Sequence, residues 1–127
     1  MKTREDIESY LLKMGVAYEE LSSGLWRLRL DGIENLMVSL AGPIVVFRLK
    51  IMDVPATHRE ALFEQLLRLN TAELFHCAFG IHDNAVVLDG ALELENVDFN
   101  EFQAVIDDIS MAVSKHYPVL SKFRTPA

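Results

Sequence analysis

The chain has 127 residues, of which half are hydrophobic, and its formal net charge is −7. This length and composition predict one domain, 1–127, with enough apolar residues for a packed core. Because phosphate backbones are bound mainly through lysine and arginine, the acidic balance argues against nucleic acid and anionic membranes as partners.

The first predicted helix runs from about Thr3 to Met14. Thr3 is the expected N-cap, and the carboxylate of Asp6 can satisfy a free main-chain amide at the helix start. Gly15 then ends the helix, since glycine readily adopts the left-handed conformation. The N-terminus is amphipathic and has no continuous apolar segment, so it is not a secretory signal. We therefore expect a soluble, cytoplasmic protein without a membrane span.

Three strands follow, separated by turn signals. They are predicted at Leu25 to Leu30, Leu36 to Leu40 and Ile44 to Ile51. The connections, Asp31-Gly32 and Ala41-Gly42-Pro43, are too short for a crossover helix. The three strands are therefore expected to form an antiparallel meander.

The second predicted helix runs from Thr57 to about Leu69, with Thr57 in the N-cap signal and Asn70 as the C-terminal stop. Its apolar face is broad and consists of Leu62, Phe63, Leu66, Leu67 and Leu69. A helix with so wide an apolar face is either deeply buried or part of a subunit contact. One small sheet can hardly cover three helices completely, so we expect a symmetric dimer to cover the surplus.

Two further strands, His76 to His82 and Ala85 to Glu95, precede a third helix that starts at Asp98 and ends near Pro118. The order is helix, three strands, helix, two strands, helix, or α-β-β-β-α-β-β-α. Strands grouped between helices indicate an α+β domain, with the helices packed on one face of an antiparallel sheet.

No catalytic, cofactor-binding or metal-ligating motif is present in the sequence. His76 and His82 would lie about 20 Å apart on a regular strand, too far to share one ion. Cys77 lacks an imidazole within reach on its own face, and a free cysteine acting as a small hydrophobe is the commoner case. We therefore expect no metal, no cofactor and no enzyme. A small-molecule binder that uses His76, Cys77 and His82 remains an alternative.

Four basic residues can share the outward face of the sheet: Arg27, Arg29, Arg48 and Lys50. One interpretation is a patch that binds an acidic ligand. The other is cross-strand pairing with Glu93 and Glu95, whose positions place them on the same face. We favour pairing because exposed ion pairs of this kind are ordinary and individually weak.

The order of elements is similar to the type III secretion chaperone-like fold, which the Tir-chaperone family and the YbjN-type bacterial proteins share. The local sequence supports this resemblance: Leu66-Leu67-Arg68-Leu69-Asn70 leads into Phe79-Gly80-Ile81, then Val86-Val87-Leu88, then Leu92 to Asp98. That family has a helix ending in Leu-x-x-Asn, a strand, a turn, a strand, a small connection and a long helix. The resemblance covers most of the chain.

The resemblance implies a small, non-enzymatic bacterial homodimer that holds an extended segment of a client polypeptide along apolar grooves and exposed strand edges. The second helix is commonly part of the dimer contact in that family, which makes Leu62, Phe63, Leu66 and Leu67 interface candidates. A YbjN-like adaptor or regulator without a secretion client is the main alternative. A structural subunit of a larger assembly is a third hypothesis.

Overall fold

One antiparallel sheet and three helices make up residues 2–124, the part of the chain that this computed structural model describes. The elements are α1 (Arg4–Met14), β1 (Ala17–Ser22), β2 (Leu25–Leu30), β3 (Ile33–Ala41), β4 (Ile44–Asp53), α2 (Arg59–Ala72), β5 (Ala78–His82), β6 (Ala85–Glu93) and α3 (Phe99–Leu120). A short 3-10 turn, Ser121–Phe123, follows α3. The strands lie in the order β1-β2-β3-β4-β6-β5. The predicted α+β class with an antiparallel sheet is confirmed.

The sheet contains one strand more than the predicted order, because Ala17–Ser22 forms β1 ahead of the meander. β1 pairs with β2, with Tyr18 opposite Leu28. The sequence of β1 includes two glutamates and no β-branched residue, so it lacks the composition typical of strands. A bulge also interrupts its pairing between Glu20 and Ser22. The three strands that were predicted before the second helix correspond to β2, β3 and β4.

Two of the three predicted helix starts are confirmed. At α1 the main-chain amide of Thr3 donates to the carboxylate of Asp6 at 2.8 Å. At α3 the amide of Glu101 donates to Asp98 at 2.8 Å, and the carboxylate of Glu101 accepts from the amide of Asp98 in return. Both helices therefore begin where the side-chain chemistry satisfies free amides.

The predicted start of the second helix at Thr57 is wrong. Helix α2 begins at Arg59, and its N-cap position is occupied by His58 with a φ of 59°. A capping threonine needs extended backbone at the N-cap. Here the chain bends through 56–58 before it enters the helix, so the Thr57 hydroxyl does not reach that position.

Several predicted ends are displaced by a few residues. Helix α2 continues beyond Asn70 to Ala72. Helix α3 includes Pro118 and continues to Leu120, since a proline so close to the helix end removes only one of the last hydrogen bonds. Strand β6 ends at Glu93, two residues earlier than predicted.

The buried side chains form one cluster between the sheet and the helices. The rings of Phe47 on β4 and Phe102 on α3 lie 5.2 Å apart, and Tyr10 of α1 packs against Phe102 at 5.6 Å. The hydroxyl of Tyr10 donates to the carbonyl of Val97 at 3.1 Å. Helices α1 and α3 therefore cover the same face of the sheet. Within residues 2–124 no helix is both long enough and apolar enough to cross a membrane.

The sheet is assembled from two sequence segments that meet along β4 and β6. Residues 17–53 form the four-stranded meander, and residues 78–93 form the hairpin of β5 and β6. The ladder between β4 and β6 extends from the pair Ile44 and Glu93 to the pair Asp53 and Ala85. This long central ladder joins the two segments across the helix α2 that separates them in sequence.

Candidate protein-binding surfaces

Helix α2 presents two different apolar surfaces. Leu62 and Leu66 are buried in the core of the chain itself, together with Leu69. Leu67 points outward with 67% of its side-chain surface exposed, and Phe63 is half-buried. Of the four interface candidates, the structure thus leaves Leu67 and Phe63 accessible to a partner, while Leu62 and Leu66 lie beneath them.

A shallow depression of about 470 Å³ lies on the outer surface of α2 beside Leu67. It is lined by Glu64, Leu67, Arg68, Thr71 and Ala72. The guanidinium of Arg68 lies 2.8 Å from the carboxylate of Glu64 one turn earlier. An exposed leucine flanked by an ion pair combines an apolar centre with a polar rim, the arrangement common at protein interfaces.

Asn70 fastens the outer edge of β5 to α2. Its side-chain amide donates to the carbonyl of Phe79 at 3.1 Å, and its side-chain oxygen accepts from the amide of Phe79 at 2.7 Å. The side chain therefore pairs with the main chain of β5 much as a neighbouring strand would. The sequence predicts Asn70 at the helix end, and its role at the sheet edge becomes apparent only from the position of β5 beside α2.

Asp108 of α3 holds the segment that leads into β5. One carboxylate oxygen accepts hydrogen bonds from the main-chain amides of Phe75 and His76, at 3.2 and 2.8 Å, and from the thiol of Cys77 at 3.4 Å. Burial, together with the nearby charge of Asp108, raises the pKa of Cys77 to about 12. The thiol is protonated at neutral pH and is a poor nucleophile.

The structure places the three residues of the small-molecule alternative in different settings. His76 lies in the loop before β5 rather than on the strand, and both His76 and His82 are exposed. Among residues 2–124, no group of three or more histidine, cysteine, aspartate or glutamate side chains could hold a metal ion. The hydrogen bonds from this segment to Asp108 hold the loop against α3.

The outward face of the sheet brings three of the four basic residues into ion pairs. Arg48 binds Asp89 through two hydrogen bonds of 2.7 and 2.9 Å, and this contact raises its pKa. Arg27 pairs with Glu19 at 3.2 Å. Strand register places Arg27 and Arg48 on the same face, on either side of Met37.

The other two basic residues, Lys50 and Arg29, are more exposed. Lys50 forms the third ion pair, 2.7 Å from Asp53, and Arg29 is exposed at the end of β2. The carboxylates that pair with this face are therefore not Glu93 and Glu95, the partners expected from sequence. Balanced ion pairs across neighbouring strands leave little net positive potential for an acidic ligand.

The free edge of the sheet at β1 is attached to α1 by Arg4. The guanidinium of Arg4 donates to both carboxylate oxygens of Glu20, with the Nε bond at 2.6 Å. Two exposed leucines lie on these elements, Leu12 on α1 and Leu21 on β1. The edge thus combines unpaired main chain with accessible apolar side chains.

Other large apolar side chains are exposed near Asp108. Phe75 has 84% of its surface exposed, and Met111, one turn after Asp108 on α3, has 64%. Phe75 lies in an irregular segment and Met111 lies off the apolar stripe of its helix, so neither position gave a sequence signal. They add to the apolar surface available on the side of the molecule where α2 ends.

Comparison with known proteins identifies the family. The model of the CesT_Tir_1 family matches residues 1–125, which is nearly the whole chain. The chain belongs to the CesT_Tir_1 family. This is the type III secretion chaperone family that the element order resembles, so that prediction is confirmed. No curated protein sequence matches the chain.

Solved structures with the same fold include both branches considered from the sequence. A chain of the ExoU–SpcU complex from the Pseudomonas aeruginosa type III secretion system is 18% identical, with a TM-score of 0.73 over 88% of this chain and 95% of that one. YbjN from E. coli is 16% identical, with a TM-score of 0.70 over 98% and 96%. A chain in the structure of the Yersinia pestis type III secretion chaperone SycH with a fragment of YscM2 is 15% identical, with a TM-score of 0.64 over 88% of this chain and 98% of that one. At these identities the CesT_Tir_1 fold is what the structures share with this chain.

Proposed function

We propose that this CesT_Tir_1 member is a non-enzymatic, cytoplasmic homodimer that binds an extended segment of a client polypeptide, as a type III secretion chaperone does. The family match over residues 1–125 carries the proposal. Two similar structures support it, because one is a chaperone in complex with a fragment of another protein and one is a heterodimer from a type III secretion system. The proposal requires no cofactor.

The dimer contact is proposed on the outer surface of α2, centred on Leu67 and bordered by Phe63. Covering the exposed side chain of Leu67 with a second copy would stabilise the dimer by burying apolar surface, and a two-fold axis would place Glu64 and Arg68 of both copies around this contact. Leu62 and Leu66 contribute to the dimer contact indirectly, because they hold α2 against the core of its own chain.

Paired substitutions test this contact. Leu67→Asp is expected to give a folded monomer, since the new carboxylate would be buried without a partner in the dimer. Leu66→Asp is expected to unfold the chain instead, because Leu66 is buried within the monomer. Leu12→Asp on α1 is the matched control, with an equally exposed leucine, and is expected to leave the dimer intact.

The measurement is molar mass by light scattering during size-exclusion chromatography, together with circular dichroism. A wild-type protein that is monomeric at micromolar concentration would remove the dimer from the proposal. A Leu67→Asp variant with the mass and melting temperature of the wild type would place the contact elsewhere.

The client is proposed to add to the sheet at β1. An extended peptide at this edge would form main-chain hydrogen bonds with β1 and place alternate side chains near Leu21 and Leu12. Apolar burial supplies about 25 cal/mol per Å², before the cost of ordering the peptide is subtracted.

The client experiment compares tagged wild-type protein with the double variant Leu12→Asp, Leu21→Asp in the native cell. Proteins recovered with the wild type are identified by mass spectrometry, and limited proteolysis of the complex defines the protected segment. We expect one protected, extended segment whose recovery falls at least tenfold in the double variant. Equal recovery with both baits would show that β1 is not the client site.

A YbjN-like adaptor or regulator without a secretion client is the second candidate. The similarity to YbjN, which extends over 98% of this chain, favours keeping it. The two candidates differ in the state of the partner. A chaperone protects one extended client segment and leaves the client chain on both sides of it open to proteases, whereas an adaptor binds a partner that is already folded.

A further inference from the structure

The six-stranded sheet divides at one end between β3 and β4. The ladder between these two strands ends at the pair Met37 and Arg48. Beyond it β3 continues to Ile33 in pairing with β2, while β4 continues to Asp53 in pairing with β6. We call the gap between residues 33–36 of β3 and residues 49–53 of β4 the fork. The strand register shows no pairing between the two strands there.

A bulge in each half of the sheet separates the two strands at this point. The pairing of β2 with β3 shifts between Leu28 and Leu30, and the pairing of β4 with β6 shifts between Lys50 and Met52. Each bulge adds one residue to the strand that borders the fork, and a bulge bends and twists the strand that carries it. The fork therefore results from the bulges in β3 and β4, and not from the absence of a strand at the edge of the sheet.

Main-chain groups face each other across the fork. Ala41 and Ile44 close a two-residue hairpin, and hydrogen-bonded pairs alternate along an antiparallel ladder, so Met37 and Arg48 form such a pair. Continued beyond this pair, the same alternation predicts that the main-chain N–H and C=O of Asn35 on β3 and of Lys50 on β4 point across the fork. These groups have the geometry of strand edges, which an extended main chain can pair with on both sides.

A cleft of about 620 Å³ occupies the fork. Its walls are residues 32–35 at the start of β3 and 49–54 at the end of β4, and its floor is formed by Val113 and Tyr117 of α3. The volume lies in the range of sites that bind ligands in proteins. Ile33, Leu49 and Val113 make the lower part of the cleft apolar.

The charges around the cleft are balanced. Lys50 pairs with Asp53 at 2.7 Å, and its hydrogen bond and charge lower the pKa of Asp53, with a smaller contribution from the charge of Arg124. The guanidinium of Arg124 donates to the hydroxyl of Tyr117 at 2.8 Å. Glu34 supplies a second carboxylate at the mouth. With two cations and two carboxylates, the cleft has no strong preference for a charged ligand.

We infer that the fork binds an extended peptide segment whose main chain pairs with Asn35 on one side and Lys50 on the other, and whose apolar side chain enters the cleft above α3. The peptide alternates, with uncharged apolar residues toward Val113 and polar residues toward solvent. The inference rests on the proposed polypeptide-binding function and adds a binding site distinct from the β1 edge and from α2.

The probe is a displayed library of random 12-residue peptides, selected on the purified wild-type protein. Enriched peptides are synthesised with a fluorescent label, and their affinity is measured by anisotropy. Val113→Trp fills the cleft from its floor and is expected to weaken binding at least tenfold. Val119→Trp, an exposed position on the same helix, is the matched control and is expected to change the affinity less than twofold.

A second pair of variants tests the main-chain contact independently of the cleft volume. Lys50→Pro removes the N–H that faces the fork but none that pairs with β6, a position where a strand tolerates proline. Lys50→Ala removes the same side chain and its ion pair but keeps the N–H. Lys50→Pro is expected to weaken binding at least tenfold relative to Lys50→Ala, with melting of both variants followed by circular dichroism.

Two results would overturn the inference without touching the proposed function. Enriched peptides that bind Val113→Trp and Lys50→Pro as tightly as their controls would place the peptide site elsewhere on a protein that still binds polypeptides. A selection that enriches no peptide would remove the fork as a peptide site, while the co-purification experiment on β1 would still decide the proposed function. Loss of binding in both test variants, with both controls intact, supports the fork.

Discussion

The two outermost strands of the sheet end in different ways. At β5 the side chain of Asn70 binds both main-chain groups of Phe79, so a neighbouring helix occupies the edge. At β1, among residues 2–124, no side chain bonds to the main chain on the outer side of the strand. One end of the sheet is therefore closed by its own chain, and the other is available for pairing.

This difference separates an end of the sheet that is covered by its own chain from an end that is not. An uncovered strand edge invites pairing with other chains, and proteins usually cover or charge it. Three features fix the β5 end. Asn70 bonds to the main chain of β5, and Asp108 bonds to the loop that precedes β5. Gly90 on β6 lets α3 and that loop pack closely against the sheet. The β1 end relies on a partly buried ion pair between Arg4 and Glu20, which restrains the strand without covering its edge.

Gly90→Ala is expected to have the largest effect at the closed end. A Cβ at this position would lie 2.8 Å from a methyl carbon of Val105 and 3.0 Å from the carbonyl oxygen of His76. Overpacking of this kind costs about 1–3 kcal/mol of the free energy of unfolding. Urea unfolding followed by the fluorescence of Trp26, the single tryptophan, measures the loss.

Gly80→Ala on β5 is the control for that substitution, because no atom lies within 4 Å of its added Cβ. The control is expected to be close to neutral. Equal stability of the two variants would show that α3 does not rest on β6 as closely as described.

Asn70→Ala is expected to open the β5 edge. It removes two hydrogen bonds and leaves the main chain of Phe79 unpaired at a partly buried site, a loss of about 2 kcal/mol. Thr71→Ala is the control, since its exposed hydroxyl bonds only to the helix carbonyl of Leu67. Hydrogen exchange should show faster exchange of the Phe79 amide in Asn70→Ala alone, and unchanged exchange would argue against the edge cap.

Asp108→Asn tests the loop that leads to β5. We expect a loss of about 1–2 kcal/mol, because bonds to a charged acceptor become bonds to a neutral one. Since Asp108 also contributes to the raised pKa of Cys77, the thiol should titrate at a lower pH and react faster with a disulfide reagent at pH 8. Asp107→Asn, its exposed neighbour, should leave the thiol reactivity as it is in the wild type.

Glu20→Gln is expected to give the smallest change, at the open end. The hydrogen bond from Arg4 holds the pKa of Glu20 below its ordinary value of 4.5. The ion pair therefore stabilises the fold above pH 4.5, and this stabilisation is lost as the pH falls through the lowered pKa of the folded state. The melting temperature of Glu20→Gln should be slightly below that of the wild type at pH 7 and equal to it in strong acid.

Glu19→Gln serves as the control for that measurement, because it removes the same charge from the opposite face of β1. A difference between Glu20→Gln and the wild type that does not shrink in acid would mean that Arg4 does not act through an ionised Glu20. The open end would then be held by packing alone.

The sequence predicted the features that depend on local chemistry. Asp98 and Glu101 were sufficient to place the start of α3, because their hydrogen bonds lie within one turn. The turn between β3 and β4 followed in the same way from Gly42 and Pro43. Most of the sheet was therefore predictable from residues that are near each other in sequence.

Features that depend on distant neighbours were not predictable. Asn70 bonds to Phe79 only because β5 returns beside α2, and nothing in the Leu-x-x-Asn pattern specifies that partner. The carboxylates that pair with Arg48 and Arg27 depend on strand register, which the sequence did not supply. The fork depends on where two bulges fall, and bulges leave no clear signal in residues 28–36 or 48–53.

The long ladder between β4 and β6 has a consequence for the synthesis of the protein. Strand β4 leaves the ribosome well before β6, since α2 and the loop to β5 lie between them. Until β6 arrives, the main-chain groups of β4 that will pair with it form an exposed strand edge, open to pairing with other chains. A protein proposed to shield the unfolded segments of others thus passes through a stage in which its own nascent chain needs shielding.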